Sequence, residues 1–214
     1  MAPAVFSATN LTCIRGERIV FQDLSFEVSA GSALLLRGPN GTGKSSLLRL
    51  CAGFLQPSEG ELRWNAAPIA DDLGAHHARS AWVGHLDAVK PAFSVAENIG
   101  FWLRLNGAGP HPETALAALG LGHLASLPAA YLSAGQRRRL NLARLAGTTA
   151  PLWLLDEPTS SLDDASARAL LHIIDAHCNA GGMAIIATHH DLDLTRVSTL
   201  QIGRPTDSGG VNTR

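Results

Sequence analysis

Two stretches of the chain share one pattern: an unbroken apolar run that stops abruptly at polar, chemically capable residues. Pro151-Leu-Trp-Leu-Leu155 runs into Asp156-Glu157, and Met183 to Ala187 runs into Thr188-His189-His190. Apolar runs of this length with no alternation predict parallel strands covered on both faces. Ala33 to Leu36 has the same character. Leu24, Phe26 and Val28 instead alternate with Ser25, Glu27 and Ser29, the signature of a half-buried, antiparallel-type strand. The turn chemistry of Pro57-Ser-Glu-Gly60 leads into a short strand over Glu61-Leu-Arg-Trp64, and Ser80 to Gly84 reads as another. Leu47 to Phe54 is helical. From Ser94 to about Leu127 the spacing is again helical, interrupted at 106–110 and at Gly120-Leu-Gly122, which predicts a small helical insert before a second α/β stretch. The fold class is therefore α/β. Internal repeats are absent from the sequence, and Ser208-Gly-Gly210 onward reads as a frayed tail.

The chemistry sits where those strands end. Between the strand ending at Leu36 and the helix from Leu47 lies Gly38-Pro39-Asn40-Gly41-Thr42-Gly43-Lys44-Ser45-Ser46, a phosphate-binding loop in the strand-to-helix setting it requires. Its glycines let successive backbone N–H groups turn toward one anion, and the following helix adds the positive end of its dipole. Lys44 places a charge at the β- and γ-phosphates, the Ser45 hydroxyl is a ligand for Mg²⁺, and Ser46 reaches the α-phosphate. A nucleotide triphosphate with Mg²⁺ is the cofactor this loop predicts.

In open α/β sheets ligands bind at the carboxyl ends of the parallel strands, which puts Asp156 and Glu157 beside the loop. Asp156 then binds Mg²⁺, directly or through water, and Glu157 is free to orient and deprotonate an attacking water. An acidic pair after a strand serves equally well as a helix cap when it stands alone; the phosphate loop on an earlier strand tips the reading. A third segment, Leu132-Ser133-Ala134-Gly135-Gln136, has a good N-cap in Ser133 and a glycine that permits close backbone approach, so this helix start is a second candidate anion site.

Composition narrows the rest. With 214 residues, 46% hydrophobic, 16% charged and a net charge of −1, the chain forms one sizeable domain and has no electrostatic footprint for nucleic acid. Its tight basic cluster, Arg137-Arg138-Arg139, reads as a solvated helix face. Cys13, Cys51 and Cys178 are odd in number and lack C-x-x-C spacing, which predicts neither a disulfide framework nor a zinc site and suits a reducing compartment. No apolar run approaches the ~18 residues of a membrane span, so a soluble chain is expected.

In this order, phosphate loop, L-S-A-G-Q, apolar strand with Asp156-Glu157, Ser161-Leu162-Asp163 and His189, the chain resembles the ATP-binding-cassette (ABC) family over nearly its whole length. The resemblance implies a P-loop NTPase of ABC type: one nucleotide-binding domain over 1–214, with a mixed sheet core, an antiparallel β subdomain and a helical insert. The RecA-like core would cover about 1–85 and 146–214, and the helical subdomain about 86–145. It implies an ATPase using ATP and Mg²⁺, working as a head-to-tail homodimer in which the loop of one subunit and Ser133, Gly135 and Gln136 of the other enclose each nucleotide. Glu157, His189 and Lys44 would be catalytic; Ser161-Leu-Asp163 matches the family's D-loop, and His189 its switch histidine at the γ-phosphate.

Two departures from the family pattern stand out. Counting back from Ser94-Val-Ala-Glu-Asn98, the position of the family's Q-loop glutamine falls on His85, which can still hydrogen-bond Mg²⁺-bound water but with pH-sensitive charge. The segment before Gly16 offers Ile14 and Arg15 where the family has an adenine-stacking aromatic. These features, with L-T-C-I-R-G-E-R-I-V-F near the start and L-W-L-L-D-E-P, resemble the branch that powers the bacterial cytochrome c maturation haem exporter. That branch implies two copies on the cytoplasmic face of the inner membrane, beneath multispanning partners of the B and C type, driving haem export or release of a haem-loaded chaperone. An ABC ATPase for another substrate, and a soluble non-transport ABC ATPase, remain as alternatives.

Overall fold

The structure, a computed structural model, describes residues 3–105 and 111–203. Its strands sort into two sheets. The first is antiparallel, built from β1 (Val5–Arg15), β2 (Arg18–Ser29), β4 (Glu59–Trp64) and β5 (Ala67–Pro68) in the order β2-β1-β4-β5. The second is parallel, built from β3 (Ala33–Arg37), β6 (Ser80–Val83), β7 (Leu152–Asp156), β8 (Met183–Ala187) and β9 (Val197–Gln201) in the order β6-β7-β8-β3-β9. Antiparallel and parallel pairings are thus kept in separate layers among the described residues.

The three unbroken apolar runs are β3, β7 and β8, and the reason for the lack of alternation is visible in how their residues divide. Leu34, Leu36, Leu152, Leu154, Ile185 and Ala187 face the antiparallel sheet, packing with Phe6, Leu11, Phe21 and the helix α1 (Lys44–Cys51). Leu35, Trp153, Leu155, Ala184 and Ile186 face the other way, toward the remaining helices. Each strand is apolar at every position because each face has its own core.

Between β6 and β7 the chain forms α3 (Val95–Leu105), α4 (Pro112–Ala118) and α5 (Ala134–Ala143); α2 (Leu73–Ala78) precedes β6 and α6 (Asp164–Asn179) follows β7. Ser94 and Glu97 close a reciprocal cap at the start of α3, the Glu97 carboxylate accepting from Ser94 N–H at 2.7 Å and the Ser94 hydroxyl from Glu97 N–H at 3.1 Å. The Ser94 N–H first, and the Ser94 side chain after it, hold the Glu97 carboxyl below its usual range. The predicted helical stretch is therefore real, although its 106–110 interruption lies outside the described residues, as does the predicted tail from Ser208. Leu103, Leu116 and Leu140 of these helices share one apolar cluster with Leu35, Trp153 and Ile186 of the sheet. Among the described residues no helix is long and apolar enough to cross a membrane.

Candidate nucleotide site

In the parallel sheet β8 lies between β7 and β3. That order brings together three carboxyl ends from distant parts of the sequence: the loop after β3, Asp156-Glu157 after β7, and Thr188-His189 after β8. Backbone bonds lock the arrangement, Glu157 N–H donating to the Ala187 carbonyl at 2.9 Å and Thr188 N–H to the Leu36 carbonyl at 3.2 Å.

The loop takes the shape its glycines permit. Gly38, Gly41 and Gly43 have φ of 149°, 81° and 104°, and a Cβ on Gly38 would sit 2.2 Å from the Ile202 carbonyl oxygen, so no side chain fits there. Gly43 opens α1 from a left-handed conformation with no side-chain cap, and no acidic residue stands in the helix's first turn. The first N–H groups of α1 are left for an anion. Pro39 closes the turn through its carbonyl, which accepts from Thr42 Oγ1 at 2.9 Å, while Asn40 and Gly41 are exposed at its tip. Lys44 is 7% exposed; its Nζ donates to the carbonyls of Gly38 at 2.6 Å and Pro39 at 3.2 Å, curling over the loop. Ser46 is half-buried on the first turn. Val20 and Phe21 of β2 press against Gly43 from the antiparallel sheet, a contact that no local pattern in the chain signals.

Two pairs assemble across the site. Ser45 Oγ donates to Asp156 Oδ1 at 3.1 Å, joining the predicted metal ligands from α1 and β7. His189 Nδ1 lies 3.0 Å from Glu157 Oε2, joining the ends of β8 and β7. The helix-cap alternative for the acidic pair falls away, because α6 begins seven residues after Glu157 and is capped by Asp163, which accepts from Ser166 N–H at 2.7 Å. That bond holds the Asp163 carboxyl below its ordinary range. Glu157 itself has φ 47°, a left-handed conformation that a residue other than glycine adopts at a cost. Its carbonyl is fixed by Ser160 N–H at 3.2 Å, Ser160 Oγ at 2.9 Å and Arg138 Nη2 at 2.9 Å.

Arg138 overturns the reading of the basic cluster as a solvated face. It is 4% exposed and reaches inward to Gly84, Asp87, Asp156 and Glu157, while Arg137 alone of the three is exposed. A run of like charges hides which member points inward; the only signal is the helical spacing of Arg138 with Asn141 and Arg144. His85 lies on the bend after β6, exposed, and takes no part in the hydrogen bond between Ser45 and Asp156.

The Ser133 segment satisfies its own backbone locally. Ser133 Oγ accepts from Gln136 N–H at 3.2 Å while Gln136 Oε1 accepts from Ser133 N–H at 2.8 Å, a reciprocal cap at the start of α5. With Gly135 they border a cavity of about 120 Å³ whose other wall is Ser161 to Asp163. A Cβ on Gly135 would stand 3.4 Å from the Ser161 carbonyl, so the two segments are in near contact. A larger cavity, about 400 Å³, opens elsewhere, between the segment after β6 and α3, where Asp87, Val89, Phe93, Phe101 and Trp102 line it.

The family model for the ABC transporter matches residues 21–160, more than half of the chain. The chain belongs to the ABC transporter family. It is an ATP-binding, ATP-hydrolysing cassette of that family. A cytochrome c biogenesis ATP-binding export protein CcmA from Paramagnetospirillum magneticum is 50% identical over 207 residues, covering 94% of this chain and 95% of that protein. One of the same description from Rhodospirillum rubrum is 52% identical over 202 residues, covering 94% and 87%. Among solved structures, an ABC transporter ATP-binding protein from Pyrococcus furiosus superposes with a TM-score of 0.80 at 22% identity, over 92% of this chain and 97% of that one. A bacterial Atm1-family ABC exporter with ATP bound gives 0.79 at 24% identity, over 94% of this chain and 37% of that one. These two likenesses carry the ABC fold.

Proposed function

We propose that this chain is the ATP-hydrolysing subunit of an inner-membrane ABC transporter serving cytochrome c maturation, by haem export or by release of a haem-loaded chaperone. The observation that carries the catalytic half is the convergence of three strand ends on one loop, with Ser45 bonded to Asp156 and His189 to Glu157. The transport half rests on the relatives' stated role in cytochrome c biogenesis.

ATP is the substrate of Gly38 to Ser46. The loop's N–H groups and the α1 dipole bind the phosphates, and Lys44, released from the Gly38 and Pro39 carbonyls, turns its charge onto the β- and γ-phosphates. The hydroxyl of Ser45 and the carboxylate of Asp156 are hard oxygen donors, two in number, as suits Mg²⁺ that completes its shell with phosphate and water. Those residues would hold it, with His85 within the outer set; when bound it neutralises charge on the phosphates. Glu157 takes the proton of the attacking water as the water oxygen bonds to the γ-phosphorus and the bond to the β–γ bridging oxygen breaks. His189, its Nδ1–H donated to Glu157, aims the carboxylate and presents its other nitrogen to the γ-phosphate.

Ser133, Gly135 and Gln136 border Ser161 to Asp163 and no part of their own phosphate loop, which supports their serving the nucleotide of a second copy in a head-to-tail homodimer. The groove of Val89, Phe93, Phe101 and Trp102 supports docking of membrane subunits of the B and C type on the helical segment, about 86–145, at the cytoplasmic face of the membrane. Deleting the gene is expected to abolish holo-cytochromes c while sparing cytochromes whose haem is not covalently attached. Haem-stained gels of membrane and periplasmic fractions decide it: normal c-type cytochromes in the deletion would refute the transport assignment and leave the ATPase assignment standing.

A further inference from the structure

The helix after Ser133 carries a polar stripe where an inward face is ordinarily apolar. Arg138, Asn141 and Arg144 stand three residues apart along α5 and its continuation; the first two turn onto the segment after β6, and Arg144 onto β6 itself. Arg144 donates to the Trp82 carbonyl and lies over the Trp102 ring, 4.5 Å from its centre. Burial, with Arg138 nearby, pushes the Arg144 guanidinium down to about 10. Asn141 Nδ2 donates to Asp87 Oδ1 at 3.3 Å, and its Oδ1 accepts from Ala88 N–H at 3.4 Å.

Arg138 alone reaches two loops at once. Its Nη1 donates to the Gly84 carbonyl at 2.9 Å, and its Nη2 to the carbonyls of Asp156 at 3.2 Å and Glu157 at 2.9 Å. The carboxylate facing it is Asp87, at 3.4 Å on the wall of the 400 Å³ groove, and its Nε is buried without a partner among the described residues. A buried cation so incompletely compensated is a poor device for stability, since well-packed apolar side chains commonly serve as well or better. What it does fix is the Glu157 carbonyl, and hence the left-handed peptide from which the Glu157 carboxylate projects.

We propose that Arg138 is a positioning residue for Glu157 that ties the placement of that carboxylate to Gly84 and Asp87, so that groove and carboxylate respond as one. A shift of Asp87 toward a group bound in the groove loosens Arg138, and through it the Glu157 peptide. This inference rests on the role given to Glu157 above.

Steady-state ATP turnover by the full chain tests it. Arg138→Lys keeps the charge but not the fork, and is expected to lower kcat roughly 10- to 100-fold, the scale of a small misplacement of a catalytic group, with KM for ATP unchanged within about twofold. Ser160→Ala removes a second anchor of the same carbonyl and is expected to lower kcat in the same sense, which keeps the test open if Arg138→Lys fails to fold. Asp87→Asn is expected to cost about threefold in kcat, the scale of a partly exposed ion pair. Combined with Arg138→Lys it should add nothing, because the two act through one linkage. Wild-type kcat in the Arg138→Lys and Ser160→Ala variants, or effects of Asp87→Asn and Arg138→Lys that simply multiply, would overturn the inference. Wild-type turnover by Glu157→Gln would instead remove the reading on which it rests.

Discussion

Glu157 Oε2 and His189 Nδ1 stand 3.0 Å apart, the carboxylate mostly covered and the imidazole half open to solvent. Only the adjacency of β7 and β8 makes the pair, because 32 residues separate its members. Replacing Glu157 by Gln keeps the shape and removes the base. Turnover should fall at least about 100-fold while ATP still binds, since general-base assistance is worth that much and the phosphate loop is untouched. Parallel measurement of phosphate release and nucleotide binding checks it; a variant that hydrolyses ATP at the wild-type rate would show that Glu157 is not the base.

Lys44→Ala should fail in the opposite way. The ammonium is poised over the loop by two carbonyls. Its removal is expected to weaken ATP binding about 10- to 100-fold, the equivalent of about 1.5–3 kcal/mol for a hydrogen bond to a charged group. Calorimetric titration of ATP with magnesium onto the full chain measures this, and an unchanged dissociation constant would contradict it.

Ser133 has a structural duty beside any contact with nucleotide. Ser133→Ala should lower the stability of the chain by about 1 kcal/mol through loss of the α5 cap, whereas Ser133→Thr retains the oxygen and should cost little. Urea denaturation separates these outcomes by the midpoint at constant slope. Equal midpoints for the alanine variant and the wild type would mean that the cap contributes nothing.

The fold should weaken on the acid side of neutrality. His76 is fully buried, its Nε2–H donating to the Cys51 carbonyl at 2.7 Å, and burial holds its pKa below 6.5. His177, stacked on Trp153 with ring centres 3.8 Å apart, is lowered for the same reason. In the window between their folded values and 6.5 the unfolded chain binds more protons than the native one. Stability is therefore full above 6.5, declines as pH falls through that value, and levels off below the folded pKa values. Denaturation midpoints at pH 7.5, 6.5 and 5.5 measure the decline, which His76→Phe should reduce. A profile as steep in that variant as in the wild type would assign the effect to other groups.

Three parallel strands and the phosphate loop were legible in the sequence because each depends on contiguous residues, whereas the parallel edge strand β9, with one buried residue in five, was not. β3, β7 and β8 are unbroken apolar runs, and Gly38 to Ser46 needs only its own backbone to curl. β1 was not legible: its inward residues Phe6, Ala8, Leu11 and Cys13 change phase at Asn10, whose φ of 51° marks an irregularity in the pairing with β2. The separation into two sheets depends on which strands pair, and pairing is not written in any one segment. Arg138 was misread for a related reason: three adjacent arginines look alike until a helix turns one of them toward the strand ends. The Ser133 cap, by contrast, needs only four consecutive residues and was visible in advance.

The apolar cluster that backs Trp153 and Leu155 also cements Leu103, Leu116 and Leu140. Grafting the helical segment of a relative onto this chain would therefore leave mismatched shapes against the sheet face that supports Asp156, and that segment could not be exchanged cleanly on its own. A working chimera would have to bring the matching face of β7 and β8 with it, so the helical segment and the strands that end in Asp156 and Thr188 are constrained to change together.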